Sequence, residues 1–170
     1  RVQSGECRVE SAEWRVQSGE CRVSGELVSV RTEREEELLT LFNGRAPIAR
    51  LFGMRLSYAE QGEAVIDLPY NPDLDHALGS VHGGVYATLL DSAGWFAAAA
   101  GHELNSWMAT SEMSIHFLRT ATRTALRAVG RVLKAGKRQD VVEMFLYDEL
   151  DTLIGHATGT FIVIPSVSLS

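Results

Sequence analysis

The most continuously apolar part of the chain lies in its middle, between residues 82 and 100. Apolar residues recur there at the three- and four-residue spacing that predicts a helix with one apolar side. That side consists of Val85, Leu89, Ala93, Phe96, Ala97 and Ala100. A second stripe of the same helix holds Thr88, Asp91, Ser92 and Trp95, at positions i, i+3, i+4 and i+7. Asp91 stands out, because a carboxylate among apolar residues is costly unless it is paired, solvated or used.

Alternation of apolar and polar residues predicts six strands, because successive side chains of a strand point to opposite faces. These strands cover residues 54–59, 63–70, 107–118, 125–135, 141–148 and 153–164, and the first two form a hairpin around Gln61-Gly62. In the third strand, we expect one face to hold Trp107, Ala109, Met113, Ile115 and Phe117 and the other to hold Thr110, Glu112, Ser114 and His116.

A further helix is predicted over residues 32–42, where Thr32 and Glu35 have capping-box spacing and Asn43-Gly44 marks the end. A short helix after Pro47 is expected in the connection that follows. Together, these elements predict an α+β domain in which an antiparallel sheet of about six strands curls around one long central helix.

The first 26 residues differ from the rest in composition. RVQSGECRV occurs at residues 1–9 and again at 15–23, and the segment is rich in Gly, Ser, Glu and Arg, which predicts disorder. Cys7 and Cys21 both lie in the repeat and do not indicate a disulfide framework. A fragment, or a start site placed upstream of the true one, would explain the repeat and the first residue, which is Arg. We expect a disordered or non-native tail over residues 1–26 and one domain over residues 27–170.

The charge balance narrows the classes of partner. A formal net charge of −6 excludes a basic footprint for nucleic acid and indicates no strong attraction to an anionic membrane. No apolar run reaches the roughly 20 residues that a spanning helix needs, and the polar N-terminus lacks the pattern of a signal peptide. We therefore expect a cytoplasmic protein that binds neither nucleic acid nor membrane.

The segment His82-Gly83-Gly84 before the central helix is the first candidate site. The first N–H groups of a helix have no intrahelical partner and lie at the positive end of its dipole. They can hold an anion or the oxygen of a carbonyl under attack, although the glycines could equally serve only to fit the helix into a tight space. Asp91, in turn, is either an exposed carboxylate on a solvated face or a half-buried base or nucleophile in a cleft.

Other polar residues add little specific chemistry. Thr110 could place a hydroxyl near the central helix, whereas Glu112 and His116 are favoured as solvent-facing strand residues. The three histidines at positions 76, 82 and 102 do not form a metal set. The sequence contains no HExxH, CxxC, GxSxG, P-loop or dinucleotide motif.

Two motifs carry a resemblance to a known family. HGGVYATLLDSAG, which starts at His82, and TSEMSIHFLR, which starts at Thr110, together resemble the hotdog-fold thioesterases of the PaaI-like (phenylacetate-degradation type) group. A GK-type turn and the late strand GHATGTFIV extend the resemblance over roughly residues 51–164. It implies a six-stranded antiparallel sheet around a long helix, subunits that form dimers and usually tetramers, and active sites at the dimer interface. The implied substrates are acyl-CoA thioesters, with no metal or redox cofactor.

The resemblance also implies a role for each candidate residue. The backbone N–H of Gly83 would hold the thioester oxygen, Asp91 would act as general base or nucleophile, and Thr110 would help to place the attacking water. His82 would order the loop and the thioester end, and His76 stands where related proteins often carry Asn. Gly84 and Ser92 would be further substrate-binding positions. Because the CoA tail is anionic, basic residues should line its path, and Arg119, Lys137 and Arg138 are the candidates, although they could equally be ordinary charges at turns and strand ends.

Two alternatives to a thioesterase stay open: a non-catalytic acyl-CoA-binding or regulatory domain, and an enoyl-CoA hydratase or dehydratase of the same fold. The presence of Asp91 with HGG favours an enzyme over a binding domain, and the spacing between them fits a hydratase less well. The acyl group is open as well. The residues that could floor an acyl pocket, or simply belong to the core, are Tyr86, Trp95, Phe96 and Trp107.

Overall fold

An antiparallel sheet packed around one long helix forms the core of the fold. The computed structural model describes residues 8–9, 12–13, 20–23, 26–29, 32–59, 62–104 and 106–164. The strands of the sheet, labelled in chain order, are β1 Arg55–Tyr58, β2 Ala64–Leu68, β3 Trp107–Phe117, β4 Leu126–Lys134, β5 Gln139–Asp148 and β6 Leu153–Ile164. They lie in the order β1-β2-β4-β5-β6-β3, and every neighbouring pair is antiparallel. The two edges of the sheet are therefore β1 and β3.

The helices are α1 Glu33–Thr40, a π-helix Leu41–Arg45, α2 Pro47–Phe52, a short 3₁₀-helix Pro72–Leu74 and α3 Gly83–Ala100. The predicted α+β hotdog fold is confirmed, with all six strands of the sheet and the central helix in the expected places. Two short strand pairs come before this domain: Arg8–Val9 with Ala12–Glu13, and Glu20–Val23 with Glu26–Ser29. Most of residues 1–26 lie outside the described residues, so disorder there stays a prediction. Gln61, in the predicted turn, also lies outside them.

The segment after α1 continues as a π-helix. The capping box of Thr32 and Glu35 starts α1 as predicted, but the predicted stop at Asn43-Gly44 is wrong, because the π-helix runs through both residues. The Asn43 side chain accepts from the Leu56 N–H at 2.8 Å and donates to the Leu56 carbonyl at 3.0 Å. These two hydrogen bonds tie the π-helix to β1.

α3 packs against one face of the sheet and contacts β2, β3, β4, β5 and β6. Its Leu89, Leu90 and Ala93 are fully buried. Gly130 of β4 permits close approach, since a Cβ at that position would lie 2.2 Å from the Ala93 carbonyl oxygen. Within the described residues, no helix combines the length and apolar character needed to cross a membrane.

Hydrogen bonds from other elements hold the C-terminal half of α3. The Tyr58 hydroxyl donates to the Phe96 carbonyl at 3.1 Å, and burial raises the pKa of this phenol so that it stays protonated. Arg34 donates to the Ala99 carbonyl at 3.2 Å. Beyond the helix, the His102 ring lies 2.8 Å from the buried carboxylate of Asp140. These contacts fix the helix relative to the sheet.

A β-bulge in β3 changes which residues face α3. Thr110 pairs with Phe161 of β6 and Glu112 pairs with Thr160, so Ser111 has no partner in the ladder. The predicted alternation through the whole strand is therefore wrong. Phe161 is fully buried, and its partner Thr110 shares its face of the sheet. The extra residue thus separates Thr110 from Glu112 and turns Thr110 toward α3.

Candidate active site

The start of α3 is capped by the histidine of the HGG segment. His82 is the N-cap residue, and its Nδ1 accepts a hydrogen bond from the Gly84 N–H at 2.9 Å. A neutral imidazole that accepts at Nδ1 carries its proton on Nε2, and the His82 side chain is exposed. A Cβ on Gly84 would lie 3.0 Å from the same Nδ1. The second glycine therefore leaves room for the cap, which explains its place beside a histidine.

Gly83 is the first residue of α3, and its N–H points out of the helix end. Among the described residues it has no hydrogen-bond acceptor, while the next two N–H groups are bound by His82. The Phe117 ring flanks the site at 3.4 Å from an ideal Gly83 Cβ. The Gly83 N–H is thus a free donor at the positive end of the helix dipole, beside an aromatic wall.

Asp91 and Thr110 meet between α3 and β3. The Thr110 hydroxyl donates to Oδ1 of Asp91 at 2.7 Å, the length of a strong charge-assisted hydrogen bond. Asp91 is half-buried and Thr110 is exposed. The bond fixes the carboxylate and leaves Oδ2 with no hydrogen bond from the described residues, so this oxygen can accept a proton from water. The bulge at Ser111 makes the contact possible.

A cavity of about 450 Å³ opens beside Asp91. One wall comes from α3 and β3, where the Trp95 ring packs edge-to-face on two other rings. Its centroid lies 4.8 Å from that of Trp107 and 4.7 Å from that of Phe96. The Trp95 Nε1 is satisfied by the Met108 carbonyl at 2.9 Å. The opposite wall comes from the π-helix and the start of α2, with Leu41, Phe42, Arg45, Ala46, Pro47 and Ile48. Ser92 lies at the cavity next to Asp91.

The opposite wall of the cavity was not expected from the sequence. The sequence predicts a helix end and a connection around residues 41–48, and its candidates for the floor of an acyl pocket are aromatic residues of α3 and β3 only. The one available signal was the short apolar run Ala46-Pro47-Ile48 directly after a helix. Such a run does not reveal which element it will face.

Gly83 and Asp91 do not meet within one chain. They are eight residues apart on the same straight helix, and a rise of 1.5 Å per residue separates them by about 12 Å. A thioester carbonyl cannot touch both the Gly83 N–H and the Asp91 carboxylate of one subunit. If both groups act on one carbonyl, a second subunit must supply one of them.

Comparison with known proteins decides the family. A family model described as "Thioesterase superfamily" matches residues 78–154, from the loop before α3 to the start of β6. A protein of Halobacterium salinarum with the name "Putative esterase" is 32% identical over 105 residues, which are 59% of this chain and 69% of the relative. This chain belongs to the thioesterase superfamily.

Solved structures share the fold of this chain. A Bacillus halodurans protein crystallised with CoA is 30% identical, with a TM-score of 0.68 over 82% of this chain and 99% of that one. The PaaI protein of the Escherichia coli phenylacetic acid degradation operon is 19% identical, with a TM-score of 0.73 over 81% of this chain and 99% of that one. A thioesterase from Haemophilus influenzae is also 19% identical, with a TM-score of 0.72 over 81% of this chain and 95% of that one. At 19% identity, the last two show the shared hotdog fold alone.

His76 organises its own loop in this superfamily member. Its Nδ1 accepts from the Leu78 N–H at 3.1 Å, and its backbone N–H donates to the Ser80 carbonyl at 2.8 Å. The imidazole therefore closes a turn before HGG, and no described hydrogen bond joins it to Asp91 or Gly83. Within the described part of the chain, no three His, Cys, Asp or Glu side chains cluster as a metal site.

The basic residues expected along the CoA tail lie at two opposite ends of the sheet. Arg119 follows β3 near Gly83 and donates to the Leu153 carbonyl at 2.6 Å. Lys137 and Arg138 lie in the β4–β5 turn, where the Arg138 carbonyl accepts from the N–H of Val163, close to the end of β6. Because β6 spans 12 residues, the two sets are separated by roughly 30 Å or more. One subunit does not bring them together.

Proposed function

We propose that this protein is an acyl-CoA thioesterase, which hydrolyses a thioester to free CoA and a carboxylic acid. The observation that carries the proposal is the Asp91–Thr110 hydrogen bond at 2.7 Å beside an apolar cavity of about 450 Å³. A carboxylate held by one hydroxyl, with its second oxygen open, suits activation of water. The apolar cavity beside it suits an acyl chain.

In the general-base form of the reaction, Oδ2 of Asp91 accepts a proton while the water oxygen attacks the thioester carbonyl carbon. The carbonyl oxygen becomes an oxyanion, which the Gly83 N–H and the dipole of α3 stabilise. The carbon–sulfur bond then breaks, and the CoA thiolate leaves and takes up a proton. In the nucleophilic form, Asp91 attacks the carbonyl carbon and the carbon–sulfur bond breaks as the CoA thiolate leaves. Water then cleaves the resulting anhydride, which releases the carboxylic acid and restores Asp91. Both forms need a charged Asp91 fixed by Thr110.

The active unit in this proposal is a homodimer, since Gly83 and Asp91 of one chain are about 12 Å apart along α3. β3 is an edge strand of 11 residues, and an open edge of that length readily pairs with another chain. If two subunits pair at this edge, Asp91 of one subunit and the partner's Gly83 would contact the same carbonyl. Pairs of dimers would then form the homotetramer that the family resemblance implies.

CoA is the proposed leaving group because it is present in the structure of the Bacillus halodurans relative. Arg119 lies at the Gly83 end of the subunit and can approach the anionic part of CoA there. Lys137 and Arg138 can reach the same CoA only if they come from another subunit. His82 supports the site by capping α3, and Gly84 supports it by leaving room for that cap.

The proposal is tested by release of free CoA from a panel of acyl-CoAs, followed with a thiol-reactive dye. The expected result is saturable release that depends on protein concentration and on the acyl group. Binding of acyl-CoA without any release would support the non-catalytic binding domain instead. Consumption of enoyl-CoA without release of thiol would support a hydratase.

Thr110→Val is expected to lower kcat about tenfold, because the variant keeps the shape of the side chain but removes the hydrogen bond to the charged Asp91. Thr110→Ser keeps the hydroxyl and is the matched control, with a rate close to that of the wild type. Steady-state CoA release measures both. A Thr110→Val enzyme at the wild-type rate would remove Thr110 from the proposed mechanism.

A further inference from the structure

Of the described residues that line the cavity beside Asp91, only Arg45 is basic. The remaining walls are mainly apolar and aromatic, and the only acidic lining residue is Asp91. A guanidinium on the wall of an otherwise apolar pocket is not explained by hydrolysis of a plain hydrocarbon acyl group. It indicates a substrate feature that the proposed thioesterase reaction does not itself require.

The fold holds the Arg45 backbone in a defined place. Arg45 is the last residue of the π-helix, which is closed by the Ala46 N–H donating to the Leu41 carbonyl at 3.0 Å. The two hydrogen bonds between Asn43 and the backbone of Leu56 attach this helix to β1. π-Helical turns are rare and occur frequently at functional sites, where they redirect side chains.

The Arg45 guanidinium has N–H donors that no carboxylate of the described residues accepts. Among the described residues, no carboxylate lies within 4 Å of it, whereas Arg34, Arg127 and Arg131 each form an ion pair. Glu33, Glu36 and Glu37 line a neighbouring depression that Arg45 also borders, without pairing with it. An exposed guanidinium with unused N–H groups can bind a carboxylate through two parallel hydrogen bonds.

We propose that the substrate's acyl group carries a carboxylate at the end away from the thioester, and that Arg45 binds this carboxylate. The inference rests on the proposed thioesterase function, because it places the thioester carbonyl at Asp91. The chain between them would lie against Trp95 and Trp107, where burial of methylene groups is favourable. Asp91 and Arg45 on the same cavity then complement a substrate that is electrophilic at one end and anionic at the other.

The CoA phosphates are a second source of anionic oxygen for Arg45, and the experiment separates the two sources. Steady-state CoA release is measured for adipoyl-CoA against hexanoyl-CoA and for suberoyl-CoA against octanoyl-CoA, pairs that match in chain length. The proteins are wild type, Arg45→Met and Arg45→Lys. Arg55→Met is the control, since Arg55 is an exposed arginine on β1 that does not line the cavity.

For the wild type, kcat/KM is expected to favour the carboxylated member of a pair by about tenfold or more, because a charge-assisted contact is gained at the far end. Arg45→Met should abolish this preference without slowing turnover of hexanoyl-CoA or octanoyl-CoA. Arg45→Lys should keep part of it, and Arg55→Met should keep all of it.

A wild-type preference for the plain acyl chains would overturn the inference, as would a preference that survives Arg45→Met. An equal loss for both members of each pair in Arg45→Met would assign Arg45 to the CoA phosphates and would also overturn it. If no acyl-CoA is hydrolysed, the proposed function fails separately. Titration calorimetry of adipoyl-CoA and hexanoyl-CoA with wild type and Arg45→Met then decides the inference by the same comparison of affinities.

Discussion

Asp91→Asn is expected to lower kcat for acyl-CoA hydrolysis by about 10²–10⁴-fold, the usual cost of removing a general base. Asn has nearly the same shape and can still accept from the Thr110 hydroxyl at Oδ1, so packing between α3 and β3 should persist. It cannot take a proton from water or attack as an anion. The measurement is steady-state release of CoA, with KM expected to change little because the acyl cavity is intact.

Glu112→Gln is the matched control for this substitution. Glu112 lies on the same strand as Thr110, is exposed, and bonds the Thr160 hydroxyl at 3.2 Å beyond the bulge. Glu112→Gln removes a carboxylate charge, as Asp91→Asn does, but on the opposite face of β3. The rate of CoA release by this variant should therefore stay close to that of the wild type. Equal rates for Asp91→Asn and wild type would show that the carboxylate has no part in the chemistry.

Gly83→Pro is expected to reduce kcat by about 10²–10³-fold, because it removes the backbone N–H that holds the oxyanion. Proline is well suited to the first position of a helix. The preceding residue, His82, has φ −65° and ψ 137°, a conformation that is compatible with a following proline. The substitution therefore tests a single backbone hydrogen-bond donor with little disturbance of the fold. Thermal unfolding should show a midpoint near that of the wild type.

Gly83→Ala separates the N–H from the added side chain. It also adds a Cβ, which would lie 3.4 Å from the Phe117 ring at the limit of ordinary contact, but it keeps the N–H. Its kcat should stay within a few-fold of the wild type. If alanine and proline at this position lower kcat equally, the loss comes from crowding by Phe117, and the assignment of the oxyanion donor is wrong.

Local patterns were sufficient to predict most of the fold. The capping box at Thr32 and the apolar periodicity of α3 depend on residues close in sequence, and both agree with the structure. The bulge at Ser111 could not be predicted in this way, because it arises from the register between β3 and a strand that follows much later, β6. It also decides that Thr110 faces α3, which simple alternation placed on the same face as Glu112.

The candidate site also combines features that local sequence patterns predict with features that depend on tertiary contacts. The HGG segment and Asp91 stand out in the sequence, since glycines at a helix start and a carboxylate in an apolar helix are both unusual. Their separation by about 12 Å follows from helix geometry alone. The cavity wall formed by the π-helix depends on how Asn43 binds the backbone of Leu56, a tertiary contact with no local signature. The place of Arg45 on the cavity wall therefore could not be predicted from the sequence.

In the proposed dimer, Asp91 of one subunit and Gly83 of the other form one active site. The most direct test of this shared site mixes Asp91→Asn and Gly83→Pro proteins, each nearly inactive alone, under conditions that allow subunits to exchange. A mixed dimer then has one site with both groups intact, so an equal mixture should recover about one quarter of the wild-type rate of CoA release. No recovery after demonstrated exchange would contradict the shared site, because two groups acting within one chain cannot complement each other.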